Sequence, residues 1–145
     1  MPLAITNPVT ITKEDIEAVY PRVASAIAQA LARDPAEVNI SSRLFADLEA
    51  ESIDLLDIVF RLEREFKIQI PRGRIIEDAR GDLSEAEFEN NGVLTAAGLT
   101  RLREYLSEVP AESFRPKMNL ADVPTLFTVE TMCKMVVRAT RAGSA

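Results

Sequence analysis

The sequence has no histidine among its 145 residues. That removes the commonest general base and the commonest metal ligand, and with them any HExxH site. Cysteine occurs once, at Cys133, so neither an internal disulfide nor a CxxC pair can exist. No stretch approaches the roughly 20 consecutive apolar residues that a membrane span needs. The first residues, MPLAITNPVTITKED, lack the basic segment and apolar core of a secretory signal. The expected location is therefore the cytoplasm. Five glycines and eight prolines are too few for a low-complexity chain, and no repeat of solenoid length is visible. An excess of positive charge is also missing: 17 Lys and Arg stand against 23 Asp and Glu, a net charge of −6. Phosphate backbones and anionic lipid repel such a chain, so the natural partner is a protein surface that is basic.

What is present is ordinary for a globular protein: 47% hydrophobic and 28% charged residues. The length favours one domain over 1–145, able to bury roughly 68–70% of its unfolded surface without covalent staples. Thr12 and Asp15 are spaced to cap a short helix, and Pro21 fits the first turn of another. From there Val23, Ile27 and Leu31, with Ala24, Ala26 and Ala30, form an apolar stripe at helical spacing that should stop near Asp34-Pro35. The connection 34–51 carries Val38, Ile40, Leu44, Phe45 and Leu48, anchors that pack a loop onto a core. Ser52 opens a second helix with Ile53, Leu56, Val59, Phe60, Leu62 and Phe66 as its apolar positions. Asp54 in its first turn and Arg61, Arg64 and Lys67 near its end suit the helix dipole. Further on, Ser84 and Glu87 have capping-box spacing, and Thr95 caps a helix expected over 96–108 with Leu99, Leu102, Leu106 and Val109 as its stripe. Thr128 caps the last helix, striped by Val129, Met132, Cys133, Val136 and Val137, and residues 141–145 are expected to fray.

The stretch FADLEAESIDLLDIVF, residues 45–60, sets one serine between five carboxylates and an amphipathic run. Read from position alone, Ser52 is an N-cap, a role worth about 1 kcal/mol. The residues around it resemble the attachment motif of acyl carrier proteins, an acidic residue, a serine and an aliphatic residue opening the second helix. The ending EREFKIQIP, Glu63 to Pro71, matches that family's second-helix ending, and FTVETMCKMV matches its last helix. The resemblance covers about 21–72 and 125–140. It implies an all-α, acyl-carrier-protein-like helical bundle that carries 4′-phosphopantetheine from coenzyme A on the hydroxyl of Ser52 and holds acyl groups as thioesters, for fatty acid, specialised lipid or polyketide-like synthesis. It also implies no catalytic residue and no metal in the chain itself, so the protein is not an enzyme. A phosphopantetheinyl transferase would load it, and acyl-chain synthesis or transfer enzymes with basic patches would dock on Asp47, Glu49, Glu51, Asp54 and Asp57. The alternative is a carrier-like interaction module that never receives the arm.

Other readings of the same residues fail or are plain. DLEAES has acids at alternate positions like a calcium loop, but Ser52 stands where the turn glycine belongs and Ile58 where the bidentate glutamate belongs. Nothing singles out a carboxylate pair for glycoside hydrolysis. Cys133 lies on an apolar stripe, where free cysteine acts as a small hydrophobe. The chain also departs from the family: Glu49 replaces the usual small turn residue, Glu51 the usual aspartate, and Ile53 the commoner leucine. The largest departure is the segment 72–124, an insertion between the second and last helices expected to hold an extra helix. It would lid or widen an acyl cavity, serve a dedicated partner, or pair two copies through Leu99, Leu102 and Leu106.

Overall fold

The computed structural model describes residues 11–71 and 73–144. The extended lead-in expected over 1–11 falls outside them except for Ile11. Three long helices form the frame: α1 (Lys13–Leu31), α2 (Ser52–Phe66) and α6 (Val129–Ser144). Between α2 and α6 lie α3 (Arg74–Arg80), the single turn α4 (Glu85–Phe88), a hairpin of β1 (Glu89–Asn90) and β2 (Val93–Leu94), and α5 (Ala96–Tyr105). The hairpin is antiparallel, with Glu89 opposite Leu94 and Asn90 opposite Val93. Among the described residues the fold is all-α apart from these four strand residues. Among its described residues the segment 72–124, expected as an insertion with at least one extra helix, holds α3, α4 and α5, and α5 ends three residues earlier than the spacing predicts.

Helix α1 starts at a reciprocal capping box: Asp15 N–H donates to Thr12 Oγ1 at 3.2 Å, and Thr12 N–H donates to the Asp15 carboxylate at 2.9 Å. Pro21 does not begin a helix; it sits inside α1. An interior proline costs about 3 kcal/mol, yet Ile16 before it and Val23, Ala24 and Ile27 after it are all buried. Packing on both sides holds the helix together across the gap, and the exposed Glu17 carbonyl can turn to water. α1 ends at Ala32 in the left-handed region, and Asp34 caps a short 3-10 turn, Pro35–Glu37. Helix α6 continues through Ser144, past the point where fraying was expected.

One hydrophobic core runs through frame and insertion. α1 packs on both α2 and α6, and α3 packs on α5. Val23, Ile27, Ile58, Leu62, Met132 and Val136 from the frame share the core with Phe88, Leu102, Leu106 and Met118 from the insertion. Leu102 and Leu106 are fully buried within the chain and Leu99 packs against the core, so these leucines, for which pairing two copies was one of three roles left open, are used at home. Gly98 makes the tightest crossing: a Cβ there would lie 2.1 Å from the Phe88 carbonyl oxygen, so α5 can sit on α4 only with glycine.

A buried polar knot fastens the end of α5 to α6. Glu108, whose side chain is 1% exposed, accepts from the Thr131 hydroxyl at 2.6 Å and from Lys134 Nζ at 2.8 Å. Thr131 N–H donates to Thr128 Oγ1 and Thr128 N–H donates to Thr131 Oγ1, which makes the expected N-cap of α6 reciprocal.

Candidate functional site

The turn ahead of α2 is held rigidly by backbone. Leu44 N–H donates to the Phe127 carbonyl, Val129 N–H to the Ser42 carbonyl and Glu130 N–H to the Ile40 carbonyl, all at 2.9–3.0 Å. The start of α6 thus grips residues 40–44. Leu44 and Leu48 bury their side chains, and the Ala50 N–H closes on the Leu44 carbonyl at 2.9 Å. Val38 is buried and Ile40 and Phe45 pack against the core, so the anchors expected along this connection do anchor it.

Glu49 sits at φ +60°, the left-handed region that favours glycine. This explains why the small turn residue is usual at the position. Glu49 tolerates it with help from Arg33, whose guanidinium meets the Glu49 carboxylate at 3.0 Å and the Leu48 carbonyl at 3.1 Å.

The N-cap of α2 is Glu51, not Ser52. Glu51 takes the extended conformation, its carbonyl accepts from Leu55 N–H, and its own N–H donates to Asp54 Oδ2 at 2.8 Å. Ser52 takes no part in this cap. Ser52 occupies the first helical position, exposed, and its hydroxyl makes no hydrogen bond among the described residues. It has room and no structural duty, and orphan N–H groups of the first turn surround it.

Beside Ser52 opens a cleft of about 340 Å³. Leu55, Leu56, Val59 and Phe60 of α2 form one wall, Ile75 and Ile76 of α3 another, and Leu120, Val123 and Phe127 ahead of α6 a third. Glu63 and Arg74 are its charged members, and each is engaged: Glu63 accepts from Ile70 N–H at 2.8 Å and Arg74 pairs with Asp78. Sequence reasoning missed the contribution of α3, because Ile75 and Ile76 are two apolar residues among acids, glycine and arginine and show no period.

The five carboxylates are close along the chain but mostly compensated in space. Asp47 pairs with Arg43, Glu49 with Arg33 and Asp57 with Arg61. Asp54 caps the Glu51 N–H, and Glu51 forms no ion pair among the described residues. The Arg43 N–H, bound at 2.8 Å, and then its guanidinium hold Asp47 below the usual aspartate range. The helical spacing of Asp57 with Arg61 announces that pair in the sequence; Arg43 with Asp47, in a turn, and Arg33 with Glu49 carry no such signal.

Cys133 is fully buried, as its stripe predicts, and burial, with Glu130 nearby, pushes its thiol up to about 12.

A family model described as a phosphopantetheine attachment site matches residues 21–80. The acyl carrier protein of Campylobacter concisus is 35% identical over 54 residues, 37% of this chain and 70% of that protein. The acyl carrier protein of Bdellovibrio bacteriovorus is also 35% identical, over 37% of this chain and 69% of its own length. The chain belongs to the acyl carrier protein family. Acyl carrier protein AcpXL of Rhizobium etli is 35% identical over 72 residues, 49% of this chain and 78% of that protein. No solved structure matches the chain.

The cofactor of this acyl carrier protein is covalent 4′-phosphopantetheine. The residues present fit it: an open hydroxyl, uncapped N–H groups beside it and an apolar cleft at its side. Carrier proteins of this kind are not themselves enzymes; they interact with a phosphopantetheinyl transferase and with acyl-chain enzymes. No helix among the described residues is long and apolar enough to cross a membrane.

Proposed function

We propose that Ser52 is the attachment residue and that the protein carries acyl intermediates for fatty acid, specialised lipid or polyketide-like synthesis. The observation that carries this reading is the Ser52 hydroxyl: exposed, released from capping by Glu51, and at the rim of the apolar cleft. The arm's thiol holds the acyl group as a thioester. The chain's own work is positional. A serine hydroxyl is a weak nucleophile without a base, so the transferase supplies the base while α2 presents the oxygen. The orphan N–H groups of the first turn favour the phosphodiester anion. The tether raises the concentration of the acyl group at a docked enzyme. Leu55, Leu56, Val59, Ile75 and Ile76 give shelter to part of an acyl chain, worth up to about 0.8 kcal/mol per methylene buried.

In this reading the chain is one carrier domain over 1–145, catalyses no step itself and works in the cytoplasm. Residues 72–124 are an insertion that walls the cleft through α3. Docking enzymes meet Ser52 with basic groups directed at Glu51 and, more weakly, at Asp47, Glu49, Asp54 and Asp57, which have partners already.

Intact-mass measurement after incubation with coenzyme A and a broad-specificity phosphopantetheinyl transferase tests the assignment. The wild type should gain the mass of one arm and Ser52→Ala none. Equal uptake by Ser52→Ala, or no uptake by the wild type with several transferases, refutes it.

A further inference from the structure

Helix α2 carries one exposed stripe outside the core, whose Phe60 also borders the cleft beside Ser52. Ile53, 73% exposed, and Phe60, 51% exposed, are the two large hydrophobic residues described as exposed. They are seven residues apart, so they share a face about 10 Å apart. Arg64 lies one turn beyond Phe60 on that face, and Lys67 follows at the helix end. Both are exposed, and neither side chain forms an ion pair or hydrogen bond among the described residues. The acids of α2, in contrast, are largely engaged: Asp57 with Arg61 and Asp54 with the Glu51 N–H. On the C-terminal half Glu65 is paired with Arg22, and Glu63 is hydrogen-bonded to the Ile70 N–H without an ion pair among the described residues. Arg64 and Lys67 together outweigh it and leave a positive excess in a chain whose net charge is −6.

Beside that half runs a groove of about 380 Å³ between α1 and α2, lined by Arg22, Ser25, Gln29, Arg61, Arg64 and Glu65. Three guanidiniums border it. Glu65 engages Arg22 at 2.8 Å and Asp57 engages Arg61 at 3.2 Å, which leaves Arg64 open at the rim.

We infer that α2 docks on an acyl-transfer enzyme whose surface has two signs: basic where it meets Glu51 beside Ser52, apolar against Ile53 and Phe60, and acidic where it meets Arg64, Lys67 and the arginine-bordered groove. This rests on the carrier reading and adds the acidic counter-patch to it. The charge order fixes orientation. A partner turned end for end along α2 would set its acids against Glu51 and its bases against Arg64, and like charges at an interface select against that register.

The test uses the full chain loaded with its arm. A photo-reactive benzoylphenylalanine placed at Phe60 captures the docked enzyme from the native extract, and mass spectrometry identifies it. That enzyme is then purified and its acyl transfer measured with wild type, Arg64→Glu, Lys67→Glu and the double variant, each checked for wild-type helicity. The expected result is a KM raised about tenfold in the double variant with kcat unchanged, an effect that shrinks as salt is added. Reversing an acid in the captured footprint should restore KM. An unchanged or lowered KM overturns the inference, as does capture of a second copy of this chain alone. Arm uptake at Ser52 is measured separately, so a failure of the carrier reading appears as missing mass and a failure of the counter-patch as an unmoved KM.

Discussion

The frame of α1, α2 and α6 and the inserted segment treat similar helices in opposite ways. α2 is amphipathic and keeps Ile53, Phe60, Arg64 and Lys67 outward, with Ser52 open at its head. α5 is amphipathic too, yet Leu102 and Leu106 are sealed in the core and Gly98 brings its backbone against Phe88. The difference shows that periodicity reports which face of a helix is apolar, while only packing decides whether that face is used inside the molecule. In this chain the frame keeps part of a helix face outward, while the segment between α2 and α6 adds residues to the core and walls the cleft through α3.

The comparison breaks most severely at the knot between α5 and α6. Glu108→Ala leaves Lys134, 13% exposed, and the buried Thr131 hydroxyl without their carboxylate. A loss of about 3 kcal/mol in urea unfolding is expected; a loss below about 1 kcal/mol would mean that the insertion is not held there. Gly98→Ala comes next. The added methyl collides with backbone rather than with a movable side chain, so a loss of about 2 kcal/mol is expected, together with weakened protection of α5 amides in hydrogen exchange.

Acid acts on both regions together. Asp15 and Asp47 in the frame and Asp82 and Glu87 in the insertion all have lowered pKa values, chiefly through hydrogen bonds with Thr12, Arg43, Arg101 and Ser84 respectively. Their folded pKa values lie below the ordinary 3.8 of aspartate and 4.5 of glutamate, so the unfolded chain takes up protons first. Their stabilisation is present above those ordinary values and is lost as pH falls through the lowered ones. Thermal midpoints followed down from pH 6 should hold and then drop below about pH 4. A midpoint that rises in that window would contradict the sign.

The smallest effect belongs to Glu49→Gly. Relief of the left-handed backbone is worth about 1 kcal/mol, and the lost Arg33 pair and the freer unfolded chain offset much of it. A stability change within about 0.5 kcal/mol of zero is expected, and a loss of 2 kcal/mol would assign the Arg33 contact a larger role.

Local signals in the sequence were read well where one residue type does one job. Thr12, Ser84, Thr95 and Thr128 all cap helices as their spacing predicts. The anchors of the loop before α2 also stand where expected, whereas the α2 stripe is only partly used. Leu62 is in the core and Val59 and Phe66 pack against it, Ile53 and Phe60 are exposed, and the fully buried Ile58 was not among the expected positions. The misreadings arise where tertiary structure overrides a local preference. Pro21 has the signature of a helix start, but burial on both sides carries α1 through it. Ser52 has the signature of a cap, but Glu51 takes that post. Asn91-Gly92 is a hairpin signal, with both residues at positive φ, yet strands of two residues each give no alternation to read. At the site, the serine and its acids were legible, whereas the pairing of Arg33 with Glu49 and the α3 wall of the cleft depend on contacts between distant residues.

The burial of Cys133 has one more consequence. A carrier that moves activated acyl groups on sulphur must not offer them a rival sulphur of its own. The sole thiol of the polypeptide is enclosed and held protonated at neutral pH, so it neither intercepts cargo by exchange nor competes for electrophilic reagents. Alkylation of the intact, loaded protein therefore reads the prosthetic thiol alone.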